Sequence, residues 1–288
     1  MRVKSRELKV ESFLYLCTLL SVIPNPLKIP IMKKLLLFCC MAVLVMASCT
    51  KEEQKDDDKT VQIEYPASAV VIRDAVTDID GNKYDAVQIG DQVWMSMNMR
   101  TTRFADGTAI AEGSEVSYED AFRYAPEHPE GINGYVYNWK AAMHGTGGSV
   151  ENPSGVQGIC PAGWHLPSEA EWQQLTDYLS NHSEYVCSGT GENIAKSLAL
   201  DRDWNQCSVG CAVGNNLIDN NSTGFSAAPV GYYPGLFTNY GCSATFWTAT
   251  ETDSVSAMGV NMYMSDSVVY RTSCNKVGGF SVRCVQNK

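Results

Sequence analysis

The chain has 288 residues, of which 32 are acidic and 22 are Lys or Arg, so its formal net charge is −10 at pH 7. An acidic chain repels the phosphate backbone that DNA- and RNA-binding proteins attract with Lys and Arg clusters, so we expect no nucleic-acid partner. Its length allows one β-rich domain with a sizeable core, because such domains commonly reach roughly 200–250 residues.

Residues 32–48 have the three parts of a secretory signal. Two lysines follow Met32, an apolar run fills residues 35–46, and Ala-Ser precedes Cys49. The run is shorter than the roughly 20 apolar residues that span a bilayer, which disfavours a stop-transfer helix. The pattern resembles a bacterial lipobox. It implies that residues 1–48 are a signal segment with its true start at Met32, and that Cys49 carries acyl chains such as palmitate and anchors the protein to a membrane.

Residues 49–64 are rich in charge and cannot bury a core, so we expect a disordered acidic tether. Lys51, Glu52 and Glu53 resemble the signal that sends Bacteroidota lipoproteins to the outer face of the outer membrane. A simple spacer is the alternative, and the periplasmic face is then the alternative location. Cleavage before Cys49 removes seven basic and two acidic residues, which leaves a net charge of about −15.

Two β-prone runs, residues 69–72 and 83–89, flank an Asp-Gly turn and predict a hairpin. The turn at residues 78–82 is also similar to half of a calcium loop. Because Ile89 stands where such a loop carries a bidentate Glu, we expect a turn and no metal. The strand that follows is expected to place Trp94 in the core.

The clearest helix start follows Pro167, because Ser168 and Glu171 have the spacing of a capping box. The helix is predicted to run from about Glu169 to Asn181. Apolar residues recur on one stripe of it: Trp172, Leu175 and Leu179. This stripe is typical of packing against a sheet and not of a cofactor site.

Seven cysteines follow the lipobox cysteine: Cys160, Cys187, Cys207, Cys211, Cys242, Cys274 and Cys284. In an oxidising exterior we expect disulfides, and the odd number leaves one thiol free or intermolecular. The residues alone leave the pairing open. The Cys207-x3-Cys211 spacing suits a zinc site, but no His follows at finger spacing, so we expect no metal.

A long motif from Cys160 to Trp172, Cys-Pro-Ala-Gly-Trp-His-Leu-Pro-Ser-x-x-Glu-Trp, is far more specific than these signals. It resembles the Fibrobacter succinogenes major paralogous domain family. Further motifs of that family occur along the chain in the family's order, at residues 78–84, 89–98, 137–139, 195–197, 221–231, 246–251 and 281–285. The resemblance covers the chain from about Asp78 onward, and residues 65–288 are therefore expected to form this one domain.

The family is similar to the C-type lectin-like fold that formylglycine-generating enzymes share. This implies an α+β domain of short, loop-rich antiparallel sheets with one or two packed helices, stabilised by disulfides. In that fold a disulfide joins the region of the first helices to the last strand, which implies Cys160 with Cys284. The remaining pairs are expected to be local: Cys187 with Cys207 or Cys211, and Cys242 with Cys274.

The residues that give calcium-dependent lectins and formylglycine-generating enzymes their activities do not recur at the matching positions of this chain. Pro229 lacks the Glu-Pro-Asn or Gln-Pro-Asp context of calcium-dependent lectins, and Trp247 is not followed by Asn-Asp. The spacing of Cys274 and Cys284 does not match the copper site of formylglycine-generating enzymes. The sequence supplies no arguable Ser-His-Asp or Cys-His set, so we expect no enzymatic activity and no cofactor.

The aromatic, turn-rich segment 231–240 is the best candidate ligand surface, because exposed rings stack on sugars and anchor partners. Tyr232, Tyr233 and Tyr240 are the candidate residues, with burial beneath the loop as the alternative for each. The favoured function is a non-catalytic binding or adhesion module for glycans or proteins on a surface-exposed lipoprotein. A structural or accessory subunit of an envelope or appendage assembly is the alternative, and an enzyme of the formylglycine type is less favoured.

Overall fold

The computed structural model describes residues 64–189 and 191–288. The predicted signal segment, the lipidated Cys49 and the export residues Lys51, Glu52 and Glu53 lie outside the described residues. Those that are described belong to one compact unit, Thr60–Lys288.

The first sheet joins strands from both ends of the described chain. Its strands are β1 (Val70–Thr77), β2 (Lys83–Ile89), β3 (Gln92–Met95), β7 (Trp164–His165) and β11 (Val285–Gln286). They lie in the order β1-β2-β3-β11-β7, and each neighbouring pair is antiparallel. The predicted hairpin is confirmed: Gly81 adopts a φ of 85° in the turn, a conformation that glycine reaches without steric cost.

Two smaller sheets complete the β-structure of the described residues. Strands β8 (Ser243–Glu251), β9 (Ser256–Tyr263) and β10 (Tyr270–Asn275) form one in the antiparallel order β10-β9-β8. Strands β4 (Ala111–Glu112), β5 (Phe122–Tyr124) and β6 (Val136–Tyr137) form the other, in which β4 and β5 are parallel. The α-helices are α1 (Trp139–Met143), α2 (Glu169–Ser180) and α3 (Ala195–Leu198), and short 3-10 turns lie at Ser183–Tyr185, Cys187–Gly189 and Leu217–Asp219.

The C-terminal segment, residues 280–286, touches all three sheets. It forms β-bridges to Tyr137 of β6 and Phe246 of β8, and then pairs with Trp94 of β3 and His165 of β7. Because this segment closes the core, its sequence must suit several neighbours at once. This is a structural reason for the motif found there.

Helix α2 begins and packs as the sequence predicts. The Ser168 side chain accepts a hydrogen bond from Glu171 N, and Glu171 Oε2 accepts one from Ser168 N at 3.0 Å, which completes the capping box. Trp172 is fully buried, with its ring 4.7 Å from Trp94 and 5.6 Å from Phe246, measured between centroids. The helix thereby joins the first sheet to the β8-β9-β10 sheet.

Two disulfides staple the described residues. One joins Cys160 to Cys284, as the family resemblance implies, and the other joins Cys187 to Cys211, one of the two local pairings left open.

The expected pairing of Cys242 with Cys274 is wrong, and three free thiols remain in the described residues where one was expected: Cys207, Cys242 and Cys274. Sheet register explains why Cys242 and Cys274 do not pair. Cys274 pairs with Ala257 of β9, whereas Cys242 O accepts from Met264 N, just beyond the other end of that strand. At about 3.3 Å per residue, this places the two cysteines roughly 20 Å apart along the sheet, far beyond the reach of a disulfide.

The fold is thus a mixture of small antiparallel sheets and few helices, with two disulfides, and the prediction is confirmed at that level. Among the described residues, no helix has the length and apolar character needed to cross a membrane.

Candidate functional site

Arg283, in the C-terminal motif, is fully buried and clamps distant segments together. Its Nε donates to Asn98 Oδ1 at 2.7 Å, and its terminal nitrogens donate to the carbonyls of Met95 at 3.0 Å, Ser226 at 2.8 Å and Phe225. The guanidinium also lies 4.6 Å from the centre of the Phe225 ring. Burial lowers the pKa of Arg283 to about 9, so the group stays charged at neutral pH. Three family motifs therefore meet in a structural clamp.

His165 and Glu171 form a second buried polar contact at the start of α2. His165 Nε2 lies 2.6 Å from Glu171 Oε1, and His165 Nδ1 lies 2.7 Å from Asn287 Oδ1, so both ring nitrogens face an acceptor. Burial alone lowers the pKa of His165, but the hydrogen bond and charge of Glu171, with the bond to Asn287, outweigh it and raise the pKa. The two side chains are only 4% and 2% exposed, so this pair is structural.

We expect the His165→Gln variant to lose more stability at low pH than at high pH. A histidine whose folded-state pKa is raised adds stability that is complete below its unfolded value of about 6.5 and is lost as the pH rises through the folded value. The measurement is the urea unfolding free energy of both proteins across the range from about pH 5.5 to pH 8.5. In a Glu171→Gln background the pH dependence should shrink. A difference that stays constant or grows with pH contradicts the assignment.

The carboxylates of the Asp78–Asn82 turn are occupied by protein donors. Asp78 accepts from the backbone of Asp80 and Asn82 and from the hydroxyl of Tyr84, while Asp80 accepts from Thr102 and Arg103. These bonds hold the turn in place. Across residues 64–189 and 191–288, no three His, Cys, Asp or Glu side chains are grouped to hold a metal ion.

The structure separates the three tyrosines expected to form the ligand surface. Tyr233 is only 8% exposed and stacks on Tyr124 with 4.0 Å between ring centroids, because the loop folds back and places this ring in the core. Its expected role as a ligand-facing residue is therefore wrong. Tyr240 is 46% exposed, whereas Tyr232 is half-buried with its ring edge-on to Phe280, 5.9 Å between centroids.

Tyr232 lies beside two tyrosines of the β8-β9-β10 sheet. Tyr263 and Tyr270 are each 37% exposed, and their ring centroids are 5.8 Å apart. Tyr232 lies edge-on to Phe280, and the Phe280 Cε2 atom lies 3.6 Å from the Cβ position of Gly259 on β9, which places Tyr232 beside the same sheet. Burial raises the pKa of Tyr263, and Cys274 and Tyr232 add to the shift. We call the surface formed by Tyr232, Tyr263, Tyr270 and Thr272 the tyrosine face.

Strand register assembles the tyrosine face. Alternate residues of β9 and their partners on β10 share one side of the sheet. Asn261 pairs with Tyr270, and Gly259 pairs with Thr272. A Cβ at Gly259 would lie 2.9 Å from Cys274 Sγ, so glycine at this buried position leaves room for the Cys274 side chain.

Polar groups lie among the rings. Asn261 Nδ2 donates to Thr272 Oγ1 at 2.6 Å, and the Tyr270 hydroxyl donates to Asp266 Oδ2 at 2.5 Å. These bonds fix the Thr272 hydroxyl and one ring; Thr272 is exposed, whereas Asn261 is buried. Rings combined with hydroxyls suit a ligand that has both apolar faces and hydroxyl groups, as sugars do.

The opposite side of the sheet is buried and holds the tyrosine face in place. Phe246, Val260 and Met262 are fully buried there, and Phe246 packs on Trp172 of α2. Arg271, on the same side, places its Nη1 3.3 Å from Thr176 Oγ1 of that helix. The tyrosine face therefore rests on a rigid element, which favours precise ligand contacts.

Sequence reasoning missed Tyr263 and Tyr270, because it sought ligand-binding rings in a turn-rich loop. The signal was the alternation of Gly259, Asn261 and Tyr263 and of Tyr270 and Thr272, which is typical of one side of a strand. The alternation alone does not show which side of a strand faces solvent. The packing of α2 against the sheet decides that, and the sequence does not reveal this packing.

A family model described as the Fibrobacter succinogenes major domain matches residues 87–286. No curated protein and no solved structure gave a significant match to the chain.

Proposed function

The chain belongs to the Fibrobacter succinogenes major domain family, and we propose that it is a non-catalytic binding module, held at the cell envelope by lipid on Cys49, that binds glycans through the tyrosine face. The observation that carries this proposal is that three partly exposed tyrosines lie together with the exposed Thr272, whose hydroxyl is held by the buried Asn261, on one side of an anchored sheet.

Glycans suit this face better than ionic polymers. Tyr263 and Tyr270 offer adjacent rings, and sugar rings carry apolar C–H faces that stack on such surfaces. The chain is acidic as a whole, which disfavours polyanionic ligands. An uncharged oligosaccharide is therefore the proposed ligand, and its binding needs no calcium because the tyrosine face offers rings and hydroxyls.

The positions of the reactive side chains support a non-catalytic role. His165 and Glu171 are enclosed, and Arg283 is engaged by four oxygen atoms. Cys284, one of the two cysteines suggested by the formylglycine-generating relatives, is bonded to Cys160. These groups contribute to folding and are not presented to a substrate.

The proposed location is the outer membrane, with the domain facing the cell exterior and tethered by residues 49–64. The lipobox-like sequence before Cys49 and the Lys-Glu-Glu that follows support this location. A C-type lectin-like arrangement is also proposed. Two features support it: β11 lies between β3 and β7, and a disulfide joins the region before α2 to the residue that precedes the last strand.

The test is binding to a panel of plant and host glycans, with and without EDTA. Saturable binding that EDTA does not weaken is expected, and the Tyr263→Ala/Tyr270→Ala variant should weaken it about 100-fold, since each anchoring ring contributes about tenfold. Tyr240→Ala is the matched control, because this exposed tyrosine lies outside the tyrosine face, and it should bind as the wild type does. Retained binding in the double variant contradicts the assignment of the site.

One observation favours a second function, as a subunit of an envelope or appendage assembly. Strand β10 is an edge of its sheet, and Tyr270–Asn275 contains no proline or lysine of the kind that blocks strand addition. A partner strand could add there through backbone hydrogen bonds. Failure to bind any glycan, together with capture of a strand-shaped peptide by β10, would support this alternative.

A further inference from the structure

In the part of the chain that the structure describes, three half-buried thiols lie outside the two disulfides: Cys207, Cys242 and Cys274. Sheet register places Cys274 at the far end of β9 from Cys242. Burial raises the pKa of the Cys274 thiol, which makes it a poor nucleophile in thiol exchange. The two remaining cysteines lie in one region of the fold.

Asn205 connects the chain before Cys207 to the chain at Cys242. Its backbone N donates to Gly241 O at 2.7 Å, and its side-chain Nδ2 donates to Cys242 Sγ at 3.2 Å. Residues 205–207 therefore run beside residues 241 and 242. Cys207 is two residues beyond Asn205, whose side chain contacts Cys242 Sγ.

Gly214 makes a second connection. Cys207 N donates to Gly214 O at 2.9 Å, Gly214 N donates to Met264 O at 2.7 Å, and Met264 N donates to Cys242 O at 2.9 Å. A Cβ on Gly214 would lie 3.1 Å from Cys207 Cβ and 2.9 Å from Met264 O. The absence of a side chain at Gly214 thus allows the segment that carries Cys207 to approach the strand ends that carry Cys242.

Weak hydrogen bonds hold both sulfur atoms in their present positions. Cys242 Sγ accepts from Asn205 Nδ2, and Cys207 Sγ accepts from Val209 N at 3.4 Å. Sulfur is a weak acceptor, so rotating these two side chains loses little hydrogen-bond energy.

We propose that Cys207 and Cys242 are oxidised to a third disulfide, which ties the loop already stapled by Cys187–Cys211 to the start of β8. Two S–H bonds break and one S–S bond forms. The two protons and two electrons pass to a disulfide donor, such as oxidised glutathione or a thiol oxidoreductase, which is reduced to two thiols. Cys274 then remains as the one free thiol of the domain. The oxidising location rests on the proposed function, but the pairing is tested on purified protein, whether or not a glycan binds.

The experiment is differential alkylation of the full chain after incubation with oxidised glutathione, read at each cysteine by mass spectrometry. Trypsin leaves Cys207, Cys211 and Cys242 in one peptide, because no Lys or Arg lies between Asp203 and Tyr270. Chymotrypsin is used as well, since Phe225 and several tyrosines separate Cys211 from Cys242. The expected product is one peptide with Cys207 and Cys211, linked to both the Cys187 and the Cys242 peptides.

Variants distinguish this pairing from others. In Cys207→Ser, Cys242 should become fully alkylated, and in Cys242→Ser the same should hold for Cys207. Cys274→Ser is the control, in which Cys207 and Cys242 should stay protected. Alkylation of both cysteines in the oxidised wild-type chain, or a link from Cys242 to any other cysteine, would overturn the proposal.

Discussion

Replacing Arg283 with Met is expected to lower the free energy of unfolding by about 3–5 kcal/mol. Methionine fills a similar volume but donates no hydrogen bond. Asn98 Oδ1 and the carbonyls of Met95, Phe225 and Ser226 then lose their donor inside the core. Each unsatisfied buried acceptor is costly, because no water replaces the lost bond.

The matched control is Arg202→Met. The Arg202 side chain is 38% exposed and pairs with its neighbour Asp201 at 3.1 Å, so its loss should change stability by less than about 0.5 kcal/mol. Arg283→Lys keeps the charge but not the planar set of donors, so it should recover only part of the loss. Chemical denaturation with the disulfides intact measures all three variants. A cost for Arg283→Met as small as that of Arg202→Met would show that the clamp contributes little.

Removing the Cys160–Cys284 disulfide by double replacement with Ala is expected to cost about 5 kcal/mol in the chain-entropy model, because it closes a long loop. The two cysteines are 124 residues apart in sequence and fully buried. Cys284 immediately precedes β11, the strand between β3 and β7. The bond therefore restrains the unfolded chain and ties down the segment that closes the core.

The second disulfide supplies an internal comparison. Cys187 and Cys211 are 24 residues apart, so their double replacement should cost about 3 kcal/mol in the same model. Cys274→Ala, which breaks no disulfide, provides the reference for loss of a single thiol. Unfolding free energies of the three variants under non-reducing conditions test the order. If replacing Cys187 and Cys211 lowers the unfolding free energy as much as replacing Cys160 and Cys284, or more, the predicted order is wrong.

The elements defined by local chemistry were predictable from the sequence. The capping box of Ser168 and Glu171 located α2 within one residue at its end, and the Asp-Gly turn located the first hairpin. These signals act between residues that are near in sequence. The pairing of Cys160 with Cys284 came from the family resemblance, since no local rule joins residues so far apart.

The candidate site was less predictable, because it depends on which side of a sheet is covered. Tyr233 and Tyr232 are adjacent in sequence, yet Tyr233 stacks on Tyr124 in the core and Tyr232 joins the tyrosine face. Cys242 immediately precedes β8 and Cys274 lies on β10 of the same sheet, but strand register places them at opposite ends of β9. Such placements are set by tertiary packing and cannot be derived from residue type.

The most direct test of glycan binding at the tyrosine face is an NMR titration of the isotope-labelled protein with the oligosaccharide that binds best in the glycan panel. We expect the amide signals of Tyr263, Tyr270 and Thr272 to shift with saturation, while that of Tyr240 does not. Shifts centred on another surface, or no shift with any glycan of the panel, would contradict it.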